Sequence, residues 1–169
     1  MSSKTFVRLI LVGSILALPL LAWIYFSKKA QTPEEYAAKQ FAKHTGLSGE
    51  ELLLILRTND KIRTKQIDDR DWGVIEKYSN SPAIEFRANS ELALPFLKGT
   101  PYEARARAVL HRLAQDTDPG TRSVAIQAMF KSGDPQAQSS LEEAQQSTDP
   151  AIKSEADRIA KIYSGKKSL

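Results

Sequence analysis

Six times between Thr32 and Pro150 a short polar residue stands directly before a proline: Thr32-Pro33, Ser81-Pro82, Thr100-Pro101, Asp118-Pro119, Asp134-Pro135 and Asp149-Pro150. Ser, Thr and Asp side chains accept hydrogen bonds from the orphan amides that open a helix. Proline at the first helical position forfeits nothing, because its missing N–H had no partner there. Such a pair can also open a plain turn, so the residues after it decide between the two. After Pro119, Val124, Ala125, Ala128 and Met129 form a helical stripe that ends at Gly133. After Pro150, Ile152, Ala156, Ile159, Ala160 and Tyr163 share a face, Gly165 closes the stretch, and Lys161, Lys166 and Lys167 suit the negative end of the helix dipole. Ala104, Ala108, Leu110 and Leu113 recur among arginines after Pro101, and Ala137, Leu141 and Ala144 form a thinner stripe after Pro135. No window alternates with a period of two, so the expected fold is all-α.

Upstream, Pro33 opens a helix to about His44, with Tyr36, Ala37, Phe41 and Ala42 apolar and Gly46 closing it. Ser48-Gly49-Glu50-Glu51 has the form of a capping box before the apolar run Leu52–Leu56. Residues 59–70 are expected to form a charged loop or short turn, and a helix is expected from about Asp71 to Tyr78. Pro95 resists placement deep in a helix, so a fresh helix from Asn89 or Ser90 to Lys98 is the expectation there.

Spacing turns these helices into an architecture. Pro119 and Pro150 are 31 residues apart with Pro135 between them, so each period holds two helices of roughly 14 residues, the mark of a helical repeat. Thr121-Arg122-Ser123 with Ala125 aligns with Ile152-Lys153-Ser154 with Ala156. The run Asp118-Pro119, Thr121-Arg122, Ala125, Ala128, Gly133-Asp134-Pro135 resembles HEAT repeats, and within them the short repeats first named for phycobilisome lyases. Glu103–Ala108 is similar to a third copy, and Leu92–Leu97 is similar to the second helix of such a unit. The chain departs from the family pattern at Thr121, where a branched apolar residue is usual, and in the earlier joint spacings of 19 and 18. The resemblance covers about residues 81–164. It implies a short right-handed α-solenoid of HEAT-like helix pairs, in which each pair buries its stripe only against its neighbours.

A second constraint lies at the N-terminus. Residues 9–26, LILVGSILALPLLAWIYF, carry no charge. As a helix they would span about 27 Å, close to a hydrocarbon core of about 30 Å. Trp23, Tyr25 and Phe26 cluster at one end, and Arg8 flanks the other. A cleaved signal peptide has a shorter apolar stretch and small residues before the cut, which Lys28 and Leu20 do not supply. The expectation is one transmembrane helix over about residues 7–26, a single-pass membrane protein, and a domain on the non-cytoplasmic side because the α-amine, Lys4 and Arg8 before the span outnumber Lys28 and Lys29 after it. The domain plan is then an anchor at 1–29, a helical cap and charged linker at 30–80, and the HEAT-like region at 81–169.

Charge and composition exclude several functions. Four of the 24 basic residues precede Ala30 and no acid does, so the remainder carries 20 of each sign. The overall +4 is therefore no nucleic-acid footprint, which must sit on the folded domain. With no cysteine, disulfides, thiolate metal sites and Cys nucleophiles are out. No P-loop, dinucleotide fingerprint, G-x-S-x-G or H-E-x-x-H is present. His44 lies near a helix end, and His111 extends a Glu103-Arg107-His111 stripe of i,i+4 pairing. Asp68, Asp69 and Asp71 are the densest acidic cluster, but they lack EF-hand spacing and enclose Arg70. No catalytic residue, cofactor or metal ligand is therefore assigned, and the chain is read as not an enzyme.

Charge is uneven within the neutral part. Lys98, Arg105, Arg107 and Arg112 against Glu103 make one basic run, and Arg57, Lys61, Arg63 and Lys65 against Asp60 make another. Six acids between Asp134 and Asp157 face only Lys153. A solvated surface explains such runs, as does a dipolar array that docks partners by charge. On the second reading Lys98, Arg105, Arg107, Arg112, Glu142, Glu143, Glu155 and Asp157 form the candidate partner surface. The expected function is a membrane-anchored scaffold or adaptor for an unidentified protein partner, with no nucleic acid and no cofactor. The alternatives are a HEAT-like enzyme or enzyme accessory of the bilin-lyase type, which the resemblance alone implies, and lipid binding through the Arg57–Lys65 segment.

Overall fold

The computed structural model describes residues 32–164, which hold eight α-helices and one 3-10 turn and, among those residues, no strand. By compactness the chain divides into residues 1–49 and residues 50–169. In the first unit, helix α1 (Pro33–Thr45) opens with Thr32 and Glu35 in a reciprocal capping box and closes at Gly46 in the left-handed conformation, φ 73°. Gly49 lies against α1 so closely that a Cβ there would sit 2.6 Å from the carbonyl oxygen of Ala38, so only glycine fits.

No helix among the described residues is long and apolar enough to cross a membrane. That finding overturns the single-pass membrane assignment, and with it the placement of the domain on the non-cytoplasmic side. Every helix described carries charged residues along its length, so none presents an unbroken apolar surface. The span expected over residues 7–26 lies outside the described residues.

The second unit carries the remaining helices: α2 (Gly49–Arg63, from Glu50 on), α3 (Asp69–Ser79), α4 (Ile84–Glu91), a 3-10 turn (Leu94–Leu97), α5 (Glu103–Leu113), α6 (Pro119–Ser132), α7 (Ala137–Gln145) and α8 (Pro150–Ser164). Helix α2 runs five residues into the expected loop. Ile62 is fully buried there, and Asn59 Nδ2 donates to the Asn89 carbonyl at 2.9 Å, so tertiary contacts carry the helix past its charged residues. Between residues 83 and 98 the helix lies earlier than expected. A helix comes first, at 84–91, and Pro95 then sits in a 3-10 turn that packs on α5 and α6. Leu92–Leu97 is thus no second helix.

The proline joints divide into two kinds. At Asp118 and Asp149 the side chain takes the amides of the first turn directly, Thr121 N at 2.7 Å and Ala151 N at 2.8 Å, with proline at the first helical position. At Ser81, Thr100 and Asp134 the side chain caps the amide two residues on, and the helix starts after one further turn.

Packing has the period of a repeat. From α3 onward α3 packs on α4, the 3-10 turn on α5 and α6, α5 on α6, α6 on α7 and α7 on α8, and α4, α6 and α8 also pack successively on one another, as α3 does on α5. The chain thus builds two rows, with α5 in the second-helix row rather than the first. Their shared core runs from Ile62, Trp72 and Ile75 through Leu97, Leu110 and Leu113 to Met129, Leu141 and Ile159. Each such side chain contributes about 1.5–3 kcal/mol by leaving water.

Candidate functional site

Pairing α3 with α5 leaves an open groove between them of about 490 Å³, lined by Trp72, Glu76, Ser79, Asn80, Arg105, Ala108, Val109 and Arg112. The amphipathic stripe of α5 buries Ala106, Val109, Leu110 and Leu113, which turns Arg105, Ala108 and Arg112 toward solvent on one face. Arg112 is held in place: Nη1 and Nη2 donate to the Ser79 carbonyl and hydroxyl, each at 2.9 Å, at the negative end of α3. Arg105 is half exposed. Its guanidinium lies 5.9 Å from the Tyr102 ring, which stacks on Trp72, and its contact to the exposed Asp69 is long, 3.4 Å. On the α3 wall Glu76 accepts a 2.6 Å bond from Trp72 Nε1.

The other candidate surface residues do not gather with these two. Lys98 stands exposed after the 3-10 turn, where its carbonyl accepts from Lys65 Nζ. Arg107 bonds Glu103 at 2.9 Å and reaches Asp134 at 3.3 Å. On the acidic side, Glu143 pairs with Arg122 and Glu142 accepts from Gln138. Glu155 pairs with Arg158 and accepts from Ser123, and these two bonds hold its carboxyl below the usual range. Asp157 accepts from Gln145. Asp134, counted by sequence among the acids, is buried against the basic helix, 2.9 Å from His111 Nε2.

The Gly133-Asp134-Pro135 joint explains that placement. Gly133 closes α6 in the left-handed conformation, with its N–H to the Phe130 carbonyl and the Asp134 N–H to the Met129 carbonyl. Asp134 Oδ1 then caps Gln136 N, while Oδ2 ties the corner to His111 and Arg107 of α5. One short sequence ends a helix, opens the next and locks both to the previous unit. Residues 73–159, just over half of the chain, match the family of HEAT repeats. The chain belongs to the HEAT repeat family. No curated protein and no solved structure matches it.

Within the HEAT repeats lies a polar cluster that sequence reasoning missed. Arg87 on α4 makes a bidentate pair with Asp116, 2.8 and 3.0 Å, both side chains nearly buried, and donates through Nη1 to the Ser81 carbonyl. One turn on, Glu91 is fully buried and neither carboxyl oxygen has a hydrogen-bond partner. Burial, with the Asp116 carboxylate adding to it, pushes the Glu91 carboxyl up to about 9, so it is neutral at pH 7. Thr121, the departure from the family pattern, is also fully buried with its hydroxyl unpaired.

The acidic triplet has a structural role. Asp68 and Asp71 form a reciprocal capping box on α3, and the Asp71 and Arg70 amides hold the Asp68 carboxyl below its usual range. Asp71 also pairs with Lys61 at 2.6 Å, and Arg63 of the same basic run pairs with Asp60. Among the described residues no group of three or more His, Cys, Asp or Glu side chains is placed to hold a metal ion.

Proposed function

We propose that this HEAT repeat chain is a scaffold that works by binding another protein, and that the groove between α3 and α5 is its docking site. HEAT repeats commonly serve as protein-interaction scaffolds, stacking helices into extended surfaces for partners. The observation that carries the reading is the groove itself. It combines an apolar floor, Ala108 and Val109, with Arg112 held in place by Ser79 and the exposed Arg105 near the Tyr102 ring. Arginine beside aromatic and small apolar residues is the composition of binding hot spots. The groove on the other row, lined by Leu92, Pro95, Val124, Gln127, Ala128 and Lys131, is smaller, about 130 Å³, and has a single charge.

The test is site-specific photocross-linking in the native host. A photoreactive residue at Ala108, in the groove, is expected to give one discrete protein adduct. The same residue at Ser139, exposed on α7, is expected to give none. Equal labelling from both positions, or none from Ala108, overturns the reading.

A further inference from the structure

The charges of this groove specify what fits it, if the groove is the docking site proposed above. We propose that its partner is an acidic amphipathic helix of another protein, with two carboxylates seven residues apart facing α5 and a basic side chain facing α3. Three observations combine. Arg105 and Arg112 stand at i and i+7 on α5, about 10.5 Å apart along the axis at 1.5 Å per residue. A docked helix antiparallel or parallel to α5 repeats at the same interval, so carboxylates seven apart meet both guanidinium groups. A guanidinium has five N–H donors, so Arg112 keeps donors for a carboxylate beyond the two it gives Ser79, and at Arg105 the long contact to the exposed Asp69 is a weak competitor.

Between the two arginines the floor is Ala108 and Val109, with no charge to oppose an apolar side chain. Ala104 and Ala108 are small and exposed, which lets a partner backbone approach α5 closely. A helix laid over two helices seats its ridge in their groove, the usual geometry for such recognition. The opposite wall has the reverse charge: Glu76 lies on α3 with its carboxylate fixed by Trp72. An entirely acidic partner would meet repulsion there, whereas a cation on that flank pairs with Glu76 and sets which side of the helix faces which wall.

The experiment uses the full chain and a synthetic probe. A 15-residue alanine-rich helical peptide carries Glu at positions 5 and 12, Leu at position 8 and, on the opposite flank, Lys at position 11. Its control carries Gln at positions 5 and 12. Fluorescence anisotropy is expected to show the Glu peptide binding about ten-fold tighter, an advantage that shrinks as salt rises. Arg105→Glu is expected to abolish that advantage, and a peptide with Lys at position 5 in one orientation series and at position 12 in the other is expected to restore binding to this variant. Arg105 is exposed, so thermal melting of the variant should match the parent. Ala108→Trp, which fills the groove, separates the two readings. If both peptides bind equally and both are displaced by Ala108→Trp, the groove is a docking site and the acidic-helix proposal is overturned. If the Glu peptide binds no better than control and Ala108→Trp changes nothing, the proposal falls and the groove with it.

Discussion

Glu91 is a carboxyl with no exposure and no hydrogen-bond partner, beside an ion pair, Arg87–Asp116, that is itself nearly buried. Its ordinary value of 4.5 applies to the unfolded chain and about 9 to the folded one. Below pH 4.5 both states hold the proton and the contribution of this group to stability is fully present. Between these values the folded state holds a proton that the unfolded state has released, so stability falls with rising pH, by up to about 1.4 kcal/mol per pH unit. Glu91→Gln keeps the shape and cannot ionise. Urea unfolding at pH 5 and pH 8 should show the parent losing stability between them and the variant losing much less, with the variant the more stable at pH 8. An equal loss in both would place the pH dependence elsewhere. Nothing in the local sequence announces such a residue. Glu91 comes after a polar stretch, and its burial depends on the packing of α4 against α3 and α6, which are distant in sequence.

At the level of single elements, the Gly133 joint is where sequence and structure agree most closely. Gly133 has φ 69°, a region that costs an L side chain about 1–2 kcal/mol. Gly133→Ala should therefore lower stability by about that amount in urea unfolding. Its near neighbour Lys98 Nζ, 3.2 Å from the position of a new Cβ, is a flexible end that can move aside, so a much larger loss would point to a second source of strain. Such joints were legible because capping and helix termination are local: Thr32, Asp118, Asp149, Gly46 and Gly133 act on neighbours within a few residues. What sequence missed depends on distant partners. Helix α2 continues to Arg63 because Asn59 meets Asn89. Asp134 joins the basic helix because α6 folds its end onto α5, so counting charges along the chain assigned it to the wrong face. The two arginines of the groove were legible as candidates from the basic run they belong to, but Trp72 and Glu76 on its far wall were not, since pairing α3 with α5 joins residues some 30 positions apart.

Across residues 50–169 the repeat makes a claim about how stability is distributed. Helix α8 packs on α6 and α7, at one end of the row, whereas α6 packs on α4, α5, α7, α8 and the 3-10 turn. In such an array each unit is stabilised by its neighbours, and a defect weakens what it touches before it weakens the remainder. Ile126 on α6 and Ile159 on α8 are matched probes, since both are isoleucines with almost no exposure. Either truncation to alanine should cost about 2–5 kcal/mol. Their reach should differ. Hydrogen exchange read out by mass spectrometry should show Ile159→Ala deprotecting α6, α7 and α8 while α3 and α4 keep their parent protection. Ile126→Ala should deprotect α4 and α5 as well. Uniform loss of protection in both variants would mean that these HEAT repeats unfold as a single block, and the groove between α3 and α5 would then be as sensitive to damage in the last helix as to damage in its own walls.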